Sequence, residues 1–164
     1  MKGQAMELRE ILLIIHILGA LGAAAGVGTA VLSTLAASRE ADLITIARTA
    51  RLQALGGRVA AYSLVVVIVF GTWLVIESSG IEFSQAWISA AYVLWLITMG
   101  VGGGVVDRHA SRLRGAADAA VARGESSNAE VQTLWEAPLP CYTNLALAAA
   151  FIVFIYLMVA KPGL

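Results

Sequence analysis

Four stretches of the chain, residues 11–36, 59–76, 85–106 and 139–160, contain no Lys, Arg, Asp or Glu. Together they take 88 of the 164 residues, and all 22 charged residues fall in the remainder. A helix that spans the hydrocarbon core of a bilayer needs about 20 mostly apolar residues, and each stretch is long enough or close to it. Lipid offers no hydrogen bonds to a bare backbone, so apolar segments of this length must span as helices. The sequence thus predicts an all-α, polytopic membrane protein: one domain over residues 1–164, a four-transmembrane-helix bundle. The composition agrees, with 59% hydrophobic and only 13% charged residues, against about 25% charged in soluble domains. A secreted disulfide scaffold, a nucleic-acid binder and a soluble enzyme are excluded, and the bilayer itself is the first expected partner.

The connections set the orientation. The first carries Arg39, Arg48, Arg51 and Arg58, and the third carries Arg108, Arg112, Arg114 and Arg123. The second has no basic residue, and the two tails have only Lys2, Arg9 and Lys161. The positive-inside rule places the two arginine-rich connections in the cytoplasm, both termini outside, and the chain in the inner (plasma) membrane. A cleaved signal peptide is the competing reading of the first stretch, but the apolar run continues to Ala36, beyond a 7–15-residue signal core. Trp73 and Trp87 flank the outer turn at Glu77 to Gly80, where amphipathic indoles favour the interface. Residues 40–54 read as a continuation of the first helix or an interfacial helix, broken by Gly56-Gly57 before the second span. Residues 107–123 read as an extension of the third helix, with a turn at 124–128, and Pro138 and Pro140 mark the start of the fourth.

The first stretch holds the candidate site. Gly22 and Gly26 are spaced as GxxxG, a pattern that lets helix backbones approach closely in lipid. They fit packing against the second or fourth helix, or a homo-oligomer seam. His16 is the only His, Asp, Glu, Lys or Arg within any of the four stretches. Helical spacing puts Gly19, Ala20, Ala23 and Val27 on its side. Intramembrane ionisable residues are costly, and a functional role is their default reading. Three roles are open for His16: a structural imidazole bonded across the bundle, a haem or metal ligand, and a proton- or substrate-handling group. At equal depth lie Thr72, Trp73, Tyr92, Tyr156 and Met158; either tyrosine suits the second ring nitrogen, and Met158 is a soft ligand candidate. No second histidine lies at this depth, so a bis-histidine haem within one chain is excluded.

Elsewhere the signals are bland. Asp107, His109 and Cys141 are candidates for an inner metal site, but their spacing matches no strong ligand motif. Glu77 and Glu82 read as a solvated loop. No GxSxG, Walker A or HExxH is present, and Gly102-Gly103-Gly104 lacks the GK[ST] of a phosphate loop.

The segments Leu13-Ile14-Ile15-His16-Ile17-Leu18-Gly19-Ala20, Phe70-Gly71-Thr72-Trp73-Leu74 and Phe83-Ser84-Gln85-Ala86-Trp87, with Arg39, resemble an uncharacterised family of predicted four-helix integral membrane proteins. That family is distantly similar to the copper-resistance D membrane proteins and to the membrane protoporphyrinogen oxidases, which bind haem through a histidine on the first helix. Of their ligands only His16 carries over. The expected function is a non-enzymatic binding or accessory component, as a homo-oligomer or in a larger membrane complex. The alternative is a haem b- or copper-linked redox protein using His16.

Overall fold

The computed structural model describes residues 2–35 and 41–162, with side chains from Leu8 onward. Ala36, Arg39 and Glu40 lie outside the described residues. The chain is all helical: α1 (Lys2–Leu35), α2 (Leu43–Glu77), α3 (Ala86–Val101), a π-turn (Gly102–Val106), α4 (Asp107–Ala122), α5 (Ala129–Trp135) and α6 (Leu139–Ala160). Among the described residues four helical segments are long and apolar enough to cross a membrane: Leu8–Leu35, Leu43–Glu77, Ala86–Ala122 and Ala129–Ala160. Large apolar side chains point outward along them, among them Leu18, Leu21, Val69, Ile152 and Val159. On a water-soluble protein such a surface is an aggregation liability, whereas in a bilayer it meets acyl chains.

The first helix starts at Lys2, earlier than the apolar stretch. The second is corrected more substantially. Instead of a break at Gly56-Gly57, one helix of 35 residues runs from Leu43 to Glu77. Asp42 opens it, its side chain accepting from Thr45 N at 2.8 Å. That bond holds the Asp42 carboxyl below its ordinary range. Gly56 is buried because α1 presses on it: a Cβ there would lie 2.9 Å from Gly26 O. The missing side chain serves close packing, and the helix continues through it. At 1.5 Å per residue α2 is about 52 Å long, well over the roughly 30 Å of hydrocarbon. Its first half therefore stands beyond the apolar layer.

That protruding half builds a small core of its own. Leu43, Ile46, Ala47 and Ala50 of α2 pack with Leu113, Ala117 and Ala120 of α4 and Val131 of α5. Arg51 and Asp118 tie the same two helices at 2.8 Å. Both arginine-rich connections thus gather at one end of the bundle. The turn from α4 to α5 is a Schellman motif: Gly124 sits at φ +71°, with Gly124 N bonding Val121 O at 3.0 Å and Glu125 N bonding Ala120 O at 3.1 Å. The helix α5 was not foreseen, and Asn128 caps it by accepting from Val131 N at 3.1 Å. Pro at the first positions of α6 matches the expected start.

At the opposite end Trp87, Ile88 and Ala91 of α3 bury against Leu157 of α6. Trp87 is 5% exposed, so it is a packing residue and not an outward interfacial indole. Its Nε1 donates to Gln85 Oε1 at 3.1 Å, and Lys161 Nζ stands 5.8 Å from its ring centroid. Trp73 is the exposed partner of the expected pair.

Candidate functional site

The glycine row of α1 faces α2. A Cβ on Gly26 would lie 2.5 Å from both Ala60 N and Gly56 O, and one on Gly22 would collide with Ser63 Oγ. Gly19 is looser, with Val66 Cγ1 and Val67 Cγ2 at 3.1 Å from its Cβ position. This is the close backbone approach that small residues permit in lipid, made within one chain. Of the two readings of this face, packing against the second helix is the arrangement present, with α2 on the surface that a homo-oligomer seam would use.

His16 closes the row. Its Nδ1 lies 3.0 Å from Val67 O. A carbonyl only accepts, so Nδ1 carries the proton and, in the neutral ring, Nε2 keeps its lone pair. Gly71 makes room for the ring: a Cβ there would lie 2.9 Å from His16 Cε1. Among the described residues none of the expected neighbours bonds the ring. Thr72 Oγ1 donates to Ile68 O at 2.6 Å, so Tyr92 donates its hydroxyl proton to Thr72 Oγ1 at 2.5 Å. Tyr156 and Met158 are exposed on α6. Val67, and neither tyrosine, holds the imidazole. Among the described residues Nε2 has no hydrogen-bond partner. A ring whose Nδ1–H is fixed by a carbonyl is oriented as metal-ligating imidazoles are. No group of three or more His, Cys, Asp or Glu among the described residues fits a metal ion. The Asp107, His109 and Cys141 site does not assemble.

The structure contains a second feature, absent from the sequence reading. A cavity of about 380 Å³ lies between α1, α2, α3, the π-turn, α4 and α6. Val27, Met99, Leu147, Phe151 and Phe154 supply its apolar wall, and Gln53, Arg58, Thr98, Asp107 and Asn144 its polar groups. Asn144 is 5% exposed and sits in a network whose directions can be assigned. Thr34 Oγ1 donates to Ala30 O at 2.8 Å, so it must accept from Asn144 Nδ2 at 3.0 Å and from Gln53 Nε2 at 3.1 Å. This orients the Asn144 amide. Its Oδ1 has no partner among the described residues and is not sealed from access, so it is an acceptor left for whatever fills the cavity. Arg58 and Asp107 line the same space and make no ion pair with any described residue.

Helices α2 and α3 touch sparsely beside this cavity. Trp95 Nε1 bridges them by donating to Leu64 O at 3.1 Å. The π-turn then interrupts the ladder, with Asp107 N bonding Gly102 O. Such turns occur often at functional sites. The glycines here differ from Gly19, Gly22 and Gly26 of α1: a Cβ on Gly100, Gly102, Gly103 or Gly104 would meet nothing within 4 Å. Gly102 and Gly103 border the cavity. The small-residue run before Asp107 was the only signal of this site, and its uncharged amides come from separate helices.

No curated protein and no solved structure matches the chain. A model of predicted integral membrane proteins matches residues 10–162, nearly its whole length. Together with four membrane-length helices, this match places the chain in that family: it belongs to the predicted integral membrane proteins designated DUF2269.

Proposed function

We propose that this multi-pass membrane protein is a non-enzymatic binding component that holds an amphipathic small molecule or a lipid in its interhelical cavity. One observation carries the reading: the cavity pairs an apolar wall with the oriented, unpartnered Asn144 Oδ1. Ligand sites are concave, mostly apolar and given direction by a few polar groups, and 380 Å³ falls within the 300–1,000 Å³ range of such sites. Arg58 and Asp107 at the same space supply one charge of each sign for a polar head. The arginine-rich end faces the cytoplasm of an inner membrane, by the positive-inside rule.

The test is to fill the cavity from a position that tolerates a side chain. Gly103 borders it, and a Cβ there meets nothing within 4 Å. The Gly103→Leu variant is expected to fold and to lose a molecule that mass spectrometry finds bound to the purified native protein. Wild-type protein carrying no bound molecule, or a variant carrying the same one, overturns the proposal.

A second reading is a redox protein that takes haem b on His16, and the Nδ1–Val67 bond favours it by leaving Nε2 free. When bound, haem would supply one-electron chemistry. His16 would hold it from this chain, and any further ligand would come from a second copy or another subunit. Oxidised and reduced absorption spectra of wild-type protein and His16→Ala decide the matter. A Soret band that disappears in the variant is expected from this reading. A featureless spectrum from protein made with ample haem refutes it.

A further inference from the structure

On the other side of the π-turn lies a groove of about 290 Å³, floored by Gly104 and walled by Arg108, His109 and Arg112 of α4 against Pro140 and Thr143 of α6. We propose that this groove is a phosphate-binding site, in which Arg108 and Arg112 hold the phosphate group of a ligand at the membrane boundary. The two arginines are four residues apart, a spacing that puts side chains on one helical face. Neither pairs with a carboxylate among the described residues, whereas Arg51 and Arg123 are paired with Asp118 and Glu125. No acidic residue among the described residues lines the groove, so its cations are not neutralised there.

Position gives the ligand its class. The groove begins where the uncharged stretch ends at residue 106 and abuts the start of the last one at residue 139. That is the depth at which headgroup phosphates lie. Guanidinium groups match phosphate oxygens in a bidentate fork. The start of α6, a helix of 22 residues, adds the positive end of its dipole. An open glycine floor leaves space for the rest of a headgroup, because a Cβ on Gly104 would meet nothing within 4 Å. An anionic phospholipid and a free phosphate compound share this chemistry.

Thermal unfolding of the full chain in a neutral detergent, titrated separately with phosphatidylglycerol, phosphatidylcholine and inorganic phosphate, tests the site. Phosphatidylglycerol is expected to raise Tm at concentrations where phosphatidylcholine does not. The Arg108→Gln/Arg112→Gln variant weakens that response about 30-fold, and Arg112→Gln alone about 5-fold, from the effect of one basic residue near an anionic surface. The Arg48→Gln/Arg114→Gln variant removes the same net charge elsewhere and retains the response. Inorganic phosphate raising Tm in wild type alone identifies a free phosphate as a ligand, while a response to lipid only identifies the headgroup. The site is refuted if neither probe stabilises wild type, if the groove variants respond as wild type does, or if both double variants lose the response equally.

Discussion

Replacing Gly26 with alanine adds one methyl group at the tightest point between α1 and α2. That carbon would lie 2.5 Å from Ala60 N and from Gly56 O, and 2.9 Å from Ala60 Cα. All three are backbone atoms, so no side chain can rotate away, and the helices must part locally by about 1 Å to restore normal contact. Overpacking of this kind costs about 1–3 kcal/mol. It is offset in part by about 0.5–1 kcal/mol from removing a helical glycine. Gly28→Ala is the internal control, because its Cβ meets nothing within 4 Å and only the favourable contribution remains. Thermal unfolding in one detergent should place Gly26→Ala about 2–5 °C below wild type, from a mid-range net cost of about 1.25 kcal/mol, and Gly28→Ala about 1–4 °C above it, at 2–4 °C per kcal/mol for a chain of this size. The loss should also be independent of protein concentration, since the contact is within one chain. If Gly26→Ala is as stable as Gly28→Ala, the close approach of α1 and α2 is wrong. A loss that grows on dilution would return the glycine row to an oligomer seam.

Three further outcomes are expected. Thr34→Val keeps the shape of the residue but leaves the Gln53 and Asn144 amides without their acceptor, so chemical unfolding should report a loss of about 1–3 kcal/mol. Arg51→Ala removes an ion pair whose side chains are 62% and 38% exposed, so Tm should fall by no more than about 3 °C, and less at high salt. Glu125 is held below its ordinary value of 4.5 chiefly by the Arg123 hydrogen bond and then by Asn128; its contribution is complete above that value and disappears as pH falls through the lowered folded value, so Glu125→Gln should flatten the acid limb of a stability–pH profile.

The sequence revealed the spans because lipid leaves an apolar segment few alternatives. Lys2–Leu35 and Leu139–Ala160 enclose the first and last stretches apart from Ala36. Gly56-Gly57 was misread by a rule for chains in water, where glycine inside a helix marks weakness. Here Gly56 is set by the backbone of Gly26 across the seam, a long-range fact that local composition does not contain. The same limit applied to His16. Its depth and its small-residue side were visible, but its partner is the backbone carbonyl of Val67, and any residue type supplies a carbonyl. The cavity was hidden for a third reason. Thr34, Gln53 and Asn144 come from α1, α2 and α6, and each alone is an ordinary uncharged polar residue.

The glycines divide the molecule into a part built for cohesion and a part that is not. Gly22, Gly26 and Gly56 are held by neighbours that leave no room for a Cβ, so their conformational cost is met by the contact they allow. Gly100, Gly102, Gly103 and Gly104 have the same cost, about 0.5–1 kcal/mol each relative to alanine, and among the described residues no close neighbour offsets it. They occupy four of five consecutive positions and run into a π-turn, which disturbs the helix further. A local rule broken without a compensating gain in packing points to function. Here the bare turn separates two concave spaces, with Gly102 and Gly103 on the side of the apolar cavity and Gly104 on the side of the arginine groove. That division makes the two sites separable: a leucine at Gly103 fills the first, glutamines at Arg108 and Arg112 discharge the second, and neither change replaces a residue of the α1–α2 seam.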